Sequence, residues 1–138
     1  MIFSGAYDYV DVLAKAADYS WKRNEVINNN IANADTPGYK REEVAFSEYL
    51  QLKLGSHLTG QDSLRRSDLK DIVERIDDGV LDYRVYKDYN GWSYRLDGNN
   101  VDIDTENVEL ASNQLLYNGI VGSINSEFNR ISTALGKK

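Results

Sequence analysis

The sequence has no cysteine, a single proline, a single histidine and no long apolar run. Without cysteine there can be no disulfide bond, thiolate zinc ligand or cysteine nucleophile. No stretch approaches the roughly 20 consecutive apolar residues of a membrane-spanning helix. The N-terminal segment has no basic region, and acidic residues interrupt its apolar ones, so we expect no cleaved Sec-type signal peptide. This leaves either a cytoplasmic protein or export by a route without a cleaved signal.

Positive charge is also scarce. The chain has 138 residues, with 16 Lys and Arg against 22 Asp and Glu, which gives a net charge of -6. An acidic chain is a poor partner for polyanions, so the charge argues against nucleic acid or an anionic membrane as the main partner. The length suits a single domain, residues 1–138, with a moderate core.

Signals of catalysis are missing as well. His57 is the only histidine and lies in a polar stretch, and no glycine-rich phosphate or dinucleotide motif occurs. The acids Asp97, Asp102, Asp104 and Glu106 lack the spacing of a calcium loop, and turn formation with helix capping explains them better. A hydrolase that used Asp102 and Asp104 as paired carboxylates would lack any further catalytic group. We therefore expect no enzyme activity, cofactor, metal site or small-molecule substrate.

A helical repeat is present at the N-terminal end, where seam positions alternate in steps of four and three. This spacing is the a/d seam of a coiled coil and predicts a helix over residues 1–34 with Ser4 as its N-cap. Ser20 and Asn24 put polar side chains into the seam, and such residues select register or partner. The predicted seam positions are Ala6, Val10, Leu13, Ala17, Ser20, Asn24, Ile27, Ile31 and Ala34.

The C-terminal end repeats this pattern and predicts a second helix over residues 104–136, with Asp104 as its N-cap. Gly119 and Gly122 lie inside this helix, and they are either tolerated substitutions or a place where another backbone approaches closely. The predicted seam positions are Leu110, Gln114, Tyr117, Val121, Ile124, Phe128, Ile131 and Leu135.

The middle of the chain, residues 45–100, has no heptad repeat and predicts a small irregular insert. Within it, Asn90-Gly91 is the preferred pair of a type I′ turn, which predicts a β-hairpin over 81–96 with Val85 opposite Leu96. The fold class is therefore mainly α, with two long terminal helices paired as an antiparallel coiled coil around this insert. Two helices make a thin core, so we expect further copies to complete it.

A distinctive stretch, NNIANADTPGYKRE, follows the first helix at residues 28–41. The residue before a proline avoids the α region, and Gly38 readily adopts a positive φ, so the helix should end here and a turn over 35–44 should follow. We expect the charged run from Lys40 to Glu43 to form an exposed face. Asn side chains suit such a helix end because they bond free backbone groups.

This stretch resembles the N-terminal signature of bacterial flagellar axial proteins, which are the rod, hook and hook-associated subunits. In that family an Asn-Asn-Ile-Ala-Asn run ends the first helix and a Thr-Pro-Gly-Tyr turn follows it. The matching residues are Asn29, Asn30, Ile31, Ala32, Asn33, Thr36, Pro37, Gly38 and Tyr39.

The segment before the second helix is similar to that of the proximal-rod members of the family. The segment NQLLYNGIVGSIN stands where the other rod and hook subunits carry an Arg-Ala-Tyr-Glu-Ala-Asn stretch, and the short chain also fits a proximal-rod member. Another axial rod subunit is the nearest alternative. The matching residues of this lead-in segment are Leu96, Asp97, Gly98, Asn99, Val101, Asp102, Asp104 and Glu106.

The resemblance implies a structural subunit that polymerises through its terminal helices into the rod of the flagellar basal body, transmits torque and is needed for motility. It implies export through the flagellar type III gate without a cleaved signal, and a periplasmic position. The implied partners are other copies of the chain, other rod subunits, the MS-ring/rod adaptor and the export gate. The helix residues expected to serve assembly are Leu13, Ile27, Ile31, Tyr117, Val121, Ile124, Phe128, Ile131 and Leu135.

A different class of function remains open beside this one. The predicted hairpin carries Trp92 and Tyr94 on a largely aromatic face, which could stack against a peptide or a glycan. In that case the helices would be a scaffold for a binding module. Core and subunit contacts explain the aromatic residues better, because such residues are favoured at interfaces.

Overall fold

The computed structural model describes residues 8–45, 83–89 and 95–136. Two long helices, α1 (Asp8–Ala32) and α2 (Ile103–Ala134), pack together, with the short strands β1 (Glu42–Ala45) and β2 (Arg84–Lys87) between them in the chain. The predicted fold class is confirmed. In the described part, neither helix has an apolar stretch long enough to cross a membrane. Several predicted features lie outside the described residues, namely Ser4, Ala6, His57, the Asn90-Gly91 turn, Trp92 and Tyr94.

The strands form an antiparallel pair whose partner differs from the predicted one. Val85 pairs with Val44 of β1, not with Leu96. Leu96 is fully exposed in a turn, where the amide N of Gly98 donates to the carbonyl O of Arg95 at 3.2 Å. This turn reverses the chain before it could continue a strand, so the predicted Val85–Leu96 pair is wrong. β1 instead supplies an apolar partner for Val85 and an acidic one, Glu42, for Lys87.

The face of α1 toward the rest of the chain follows the predicted seam only in part. Its buried seam residues include two, Ser20 and Ala34, that are not large apolar residues. The buried seam positions are Val10, Ser20, Ile27 and Ala34. The half-buried ones are Leu13, Ala17, Asn24 and Ile31. Burial extends beyond the predicted seam to Val12, Val26 and Asn30.

The buried stripe of α2 consists of Glu106, Asn113 and Ile120, which follow one another at heptad spacing. Half-buried seam residues accompany them, namely Leu110, Tyr117, Val121, Ile124 and Ile131. The prediction placed Gln114 in the seam, but Gln114 is exposed and its neighbour Asn113 takes the buried place. Phe128 and Leu135 are 48% and 64% exposed. The prediction followed the apolar residues, whereas two of the three buried positions of this stripe, Glu106 and Asn113, are polar.

The N-cap of α2 is Asp102 and not Asp104, so the predicted cap is wrong by two residues. Asp102 has the extended backbone of an N-cap, and its Oδ1 accepts from the amide N of Asp104 at 3.0 Å. Its Oδ2 accepts from the Thr105 hydroxyl at 2.9 Å. The bonds from Thr105 and from the Asp104 amide hold the pKa of the Asp102 carboxyl below its ordinary value. Asp104 lies in the first turn, where its charge favours the helix dipole.

Candidate functional site at the corner

Two segments that are far apart in the chain meet in one hydrogen-bonded unit, which we call the corner. It consists of residues 29–42, where α1 ends and turns into β1, and residues 95–106, which lead into α2. The amide N of Gly38 donates to the carbonyl O of Asp97 at 2.8 Å, and the Lys40 ammonium donates to the carbonyl O of Gly98 at 2.7 Å. The corner therefore joins the two stretches that resemble the axial-protein signatures.

Asparagine side chains organise the end of α1, as the sequence suggested. Asn33 Nδ2 donates to the carbonyl O of Asn29 at 2.8 Å, and Asn33 Oδ1 accepts from the Thr36 hydroxyl at 3.2 Å. The amide N of Thr36 also donates to the carbonyl O of Asn33 at 3.0 Å. These bonds satisfy groups that a helix end leaves free and set the direction of the turn.

The central residue of the corner is Asn99, whose side chain is almost fully buried. Its Nδ2 lies 2.9, 3.0 and 2.9 Å from the carbonyl O atoms of Asn33, Ala34 and Thr36. Its Oδ1 accepts from the amide N of Val101 at 2.8 Å. Asn99 therefore caps the carbonyl end of α1 from the other half of the chain, and its amide orientation is fixed by acceptors on one side and a donor on the other.

Two glycines lie close together at the corner. Gly38 and Gly98 have φ angles of 73° and 76°, in the left-handed region. A Cβ added to Gly98 would lie 3.9 Å from the Cα of Gly38, an ordinary contact. Both glycines are therefore required by backbone conformation, since other residues pay for a positive φ.

Gly38→Ala is expected to lower the free energy of unfolding by about 1–2 kcal/mol, because alanine is strained at this positive φ even where the space around it is open. The matched control is Gly119→Ala in α2, where the added Cβ also meets nothing within 4 Å. There alanine should stabilise the protein by roughly 0.5–1 kcal/mol because it favours a helix. Urea unfolding of both variants measures this, and a change of equal sign in the two would contradict it.

Asn30 links the corner to both β1 and α2. Its Oδ1 accepts from the amide N of Glu42 at 2.9 Å and from the Tyr39 hydroxyl at 3.2 Å. Its Nδ2 donates to the carbonyl O of Glu42 at 2.8 Å and to Glu106 Oε2 at 3.1 Å. Burial raises the pKa of the Tyr39 hydroxyl, and the nearby charges of Glu42 and Glu106 add to this. Tyr39 therefore stays a neutral donor near pH 7.

The charged run after Tyr39 is not the exposed face that the sequence suggested. Arg41 is largely buried and its Nε donates to Glu106, whose side chain has no exposed surface. The amide N of Arg41 donates to Asn100 Oδ1 at 2.7 Å, and Asn100 Nδ2 donates to the carbonyl O of Asp88 at 2.8 Å. The expectation of an exposed run is thus wrong, because Lys40, Arg41 and Glu42 each have a partner in the C-terminal half of the chain. The partner of Glu42 is Lys87, whose Nζ lies 3.9 Å from Glu42 Oε1.

Arg95 contributes a contact that sequence reasoning missed. Its guanidinium donates to the carbonyl O of Ala34 at 2.9 Å and to Asp97 Oδ2 at 2.9 Å. The amide N of Asn99 also donates to Asp97, and this bond, together with Arg95, lowers the pKa of the Asp97 carboxyl. Arg95 lies directly before the lead-in segment that begins at Leu96. Its positive charge next to Asp97 is the sequence feature that could have indicated this contact.

The recognised residues thus divide between the inside and the surface of the corner. The buried ones are Asn30, Asn99, Val101 and Glu106. The half-buried ones are Ile31, Asn33, Tyr39, Asp97 and Gly98. The exposed ones are Asn29, Ala32, Thr36, Pro37, Gly38, Leu96, Asp102 and Asp104. Inside the corner, the recognised side chains serve the chain's own fold.

The chemistry of the corner is that of a structural joint. Among the described residues, every buried side-chain N and O atom has a hydrogen-bond partner. The same residues contain no group of three or more acidic, His or Cys side chains that could hold a metal ion. The corner therefore offers firmly held polar groups, which fix geometry and leave no buried donor or acceptor free for a ligand.

Comparisons with known proteins agree with the two signatures. Residues 22–40 match a family described as flagella basal body rod protein. The chain is 36% identical over 135 residues to the flagellar basal body rod protein FlgB of Bacillus subtilis (strain 168), an alignment that spans 97% of this chain and 95% of the relative. It is 36% identical to FlgB of Borrelia hermsii over 81% of this chain and 78% of that protein. Against FlgB of Escherichia coli (strain K12) the identity is 29%, over 83% of each chain.

Proposed function

The chain belongs to the FlgB family of flagellar basal body rod proteins, structural components of the rod, and from this we propose that it polymerises through α1 and α2 into the shaft that transmits torque. It is located in the flagellar basal body and assembles with other flagellar components. The proposed role is mechanical and not catalytic, and it includes a requirement for flagellum-dependent motility.

The observation that carries polymerisation is the outward face of α2. From Leu110 to Ser126 this helix has no charged side chain, although 28% of the whole chain is charged. Val108 and Leu115, one heptad apart, are 71% and 74% exposed and lie on the side of α2 away from Asn113 and Ile120. An uncharged face with exposed large apolar residues is typical of a surface that a protein partner covers.

Two of the predicted assembly residues, Phe128 and Leu135, and one further residue, Trp21, extend this exposed apolar surface. Phe128 and Leu135 lie on α2, and Trp21 lies on α1. The centroid of the Trp21 ring is 6.2 Å from the centroid of the Tyr117 ring on α2. Together with Leu116, these residues give the helix pair apolar surface on more than one side. A subunit in a tubular lattice needs contacts in several directions, so this distribution supports polymerisation better than a simple dimer.

The corner supplies the stiffness that the role requires. Torque passes between subunits only if α1 and α2 keep a fixed position relative to each other. The corner fixes them through buried hydrogen bonds of Asn99 and Asn30 that cross from one half of the chain to the other. We propose this corner as the functional site of the recognised motif, with Pro37 exposed at its turn.

The proposed partners are other copies of the chain, other rod subunits, the MS-ring/rod adaptor and the flagellar type III export gate. The proposed route is export through that gate without a cleaved signal into the periplasmic rod. The support for these partners and this route is the resemblance of the segments at 28–41 and 96–106 to axial proteins. The proposal names no small-molecule substrate or cofactor.

Isolation of basal bodies tests this proposal directly. An epitope-tagged copy of the chain should co-purify with basal bodies, and immunogold labelling should mark the rod at the end nearest the membrane ring. A copy that lacks α2 should be missing from the same preparation. Basal bodies that contain all other rod subunits but not the tagged chain would contradict the proposal, provided that the tagged copy supports swimming.

A further inference from the structure

The interface between α1 and α2 is unusual in its content. Among the described residues, the largest side chains with less than 2% exposure are all polar, and four of the five lie on the two helices. These four are Ser20, Asn30, Glu106 and Asn113. Two long helices that pair to make a core would gain more stability from apolar residues at these places. The polar side chains therefore call for a reason other than stability.

The four residues make two contacts across the interface. Ser20 Oγ donates to Asn113 Oδ1 at 3.0 Å, and Asn113 Nδ2 donates to the carbonyl O of Ser20 at 2.8 Å. Closer to the corner, one heptad away along α2, Asn30 Nδ2 donates to Glu106 Oε2 at 3.1 Å. We call these contacts the two polar keys.

From these contacts we propose that the two polar keys specify how α1 and α2 pair, namely which face of α2 turns inward and in which register. A slide of α2 by one heptad, about 10 Å along its axis, would place Ile120 or Glu106 against Ser20 in the position of Asn113. The hydrogen bonds between Ser20 and Asn113 would then be broken within the interface. Buried polar groups without partners are costly, so alternative registers are disfavoured.

The keys also decide between two faces of α2. The outward face also carries large apolar side chains, Val108 and Leu115, which burial against α1 could cover. Only the inner face offers Asn113 and Glu106 as partners for Ser20 and Asn30. The keys thus keep the outward face free for neighbouring subunits. This last step rests on the proposed function, whereas the choice of register and face is a property of the isolated chain.

Distance measurements on the isolated full chain test the proposal. The chain has no cysteine, so Lys15→Cys and Asn107→Cys, both at exposed positions, give one spin label on each helix. Dilution with unlabelled protein removes distances between chains. The test variant, Ser20→Ala with Asn113→Leu, makes the first key apolar. The matched control is Asn118→Leu, the same chemical change at an exposed position of α2.

We expect one distance between the labels in the parent and in the Asn118→Leu control. We expect the apolar double variant to show at least one further distance, with a shift of up to about 10 Å for a slip of one heptad. A double variant that keeps the single parental distance would overturn the proposal. Loss of helicity in the double variant, measured by circular dichroism, would also overturn it, because the first key would then be needed for folding itself. Neither result depends on rod assembly, so the proposed function is tested separately.

Discussion

Asn99→Asp is expected to destabilise the fold by on the order of 3–5 kcal/mol at pH 7. The substitution changes almost nothing in shape, but it replaces the donor Nδ2 by an oxygen that faces three carbonyl O atoms at 2.9, 3.0 and 2.9 Å. The side chain is buried, so the new negative charge faces these carbonyl oxygens without solvation by bulk water. A loss of this size is a large share of the free energy of unfolding of an ordinary domain, which is about 5–15 kcal/mol.

The loss in Asn99→Asp should shrink as the pH falls. Burial beside carbonyl oxygens raises the pKa of a carboxyl in the folded state above its unfolded value. The folded variant then binds more protons than the unfolded one, so a lower pH favours folding of the variant relative to the parent. Denaturant unfolding at pH 7 and pH 4 measures both effects. Asn107→Asp, at an exposed position near the start of α2, is the matched control and should change little. A loss of similar size in the control, or a loss in Asn99→Asp that does not depend on pH, would contradict this account of the corner.

The corner shows what could be predicted from the sequence. The Asn-rich helix end, Pro37 and Gly38 predict a sharp turn from local rules alone, because these residues act on their own backbone. The same rules predicted that Asp97-Gly98 would turn. They could not show that Asn99 caps α1, since that contact joins residues 63 to 66 positions apart. Such a contact depends on tertiary structure, and only the resemblance to the axial signatures connected the two segments.

The helix pair shows why the rest could not be predicted. Periodicity identified both helices, but the seam of α2 was assigned from apolar residues and came out one position off at Gln114. The buried position is Asn113, because Ser20 on α1 satisfies its amide. Hydrophobic patterning cannot detect a polar residue whose partner lies on another element. For the same reason Arg41 was taken for a surface charge, although it pairs with the buried Glu106.

The exposed apolar residues of α2 are the converse of this polar interface. In an ordinary domain the apolar side of a helix faces the core, whereas here Leu115 and Val108 face away from α1. Large exposed apolar residues on a helix would favour aggregation unless a partner covers them. The proposed rod lattice provides such partners, because neighbouring subunits would cover these residues.

Leu115→Arg is therefore expected to abolish rod assembly and swimming while it leaves the isolated chain folded. Leu115 is 74% exposed, so the free energy of unfolding should change by less than about 0.5 kcal/mol. In the lattice the same substitution would bury an unpaired charge, at a cost of several kcal/mol that recurs in every copy.

Leu115→Met is the matched control, because it keeps the size and apolar character of the side chain and should support motility. A swimming assay of a deletion strain carrying each variant, together with urea unfolding of the purified chains, separates assembly from stability. Normal swimming with Leu115→Arg would show that this face of α2 is not covered in the rod, and polymerisation would then have to use other exposed apolar residues, such as Trp21, Leu116, Phe128 and Leu135.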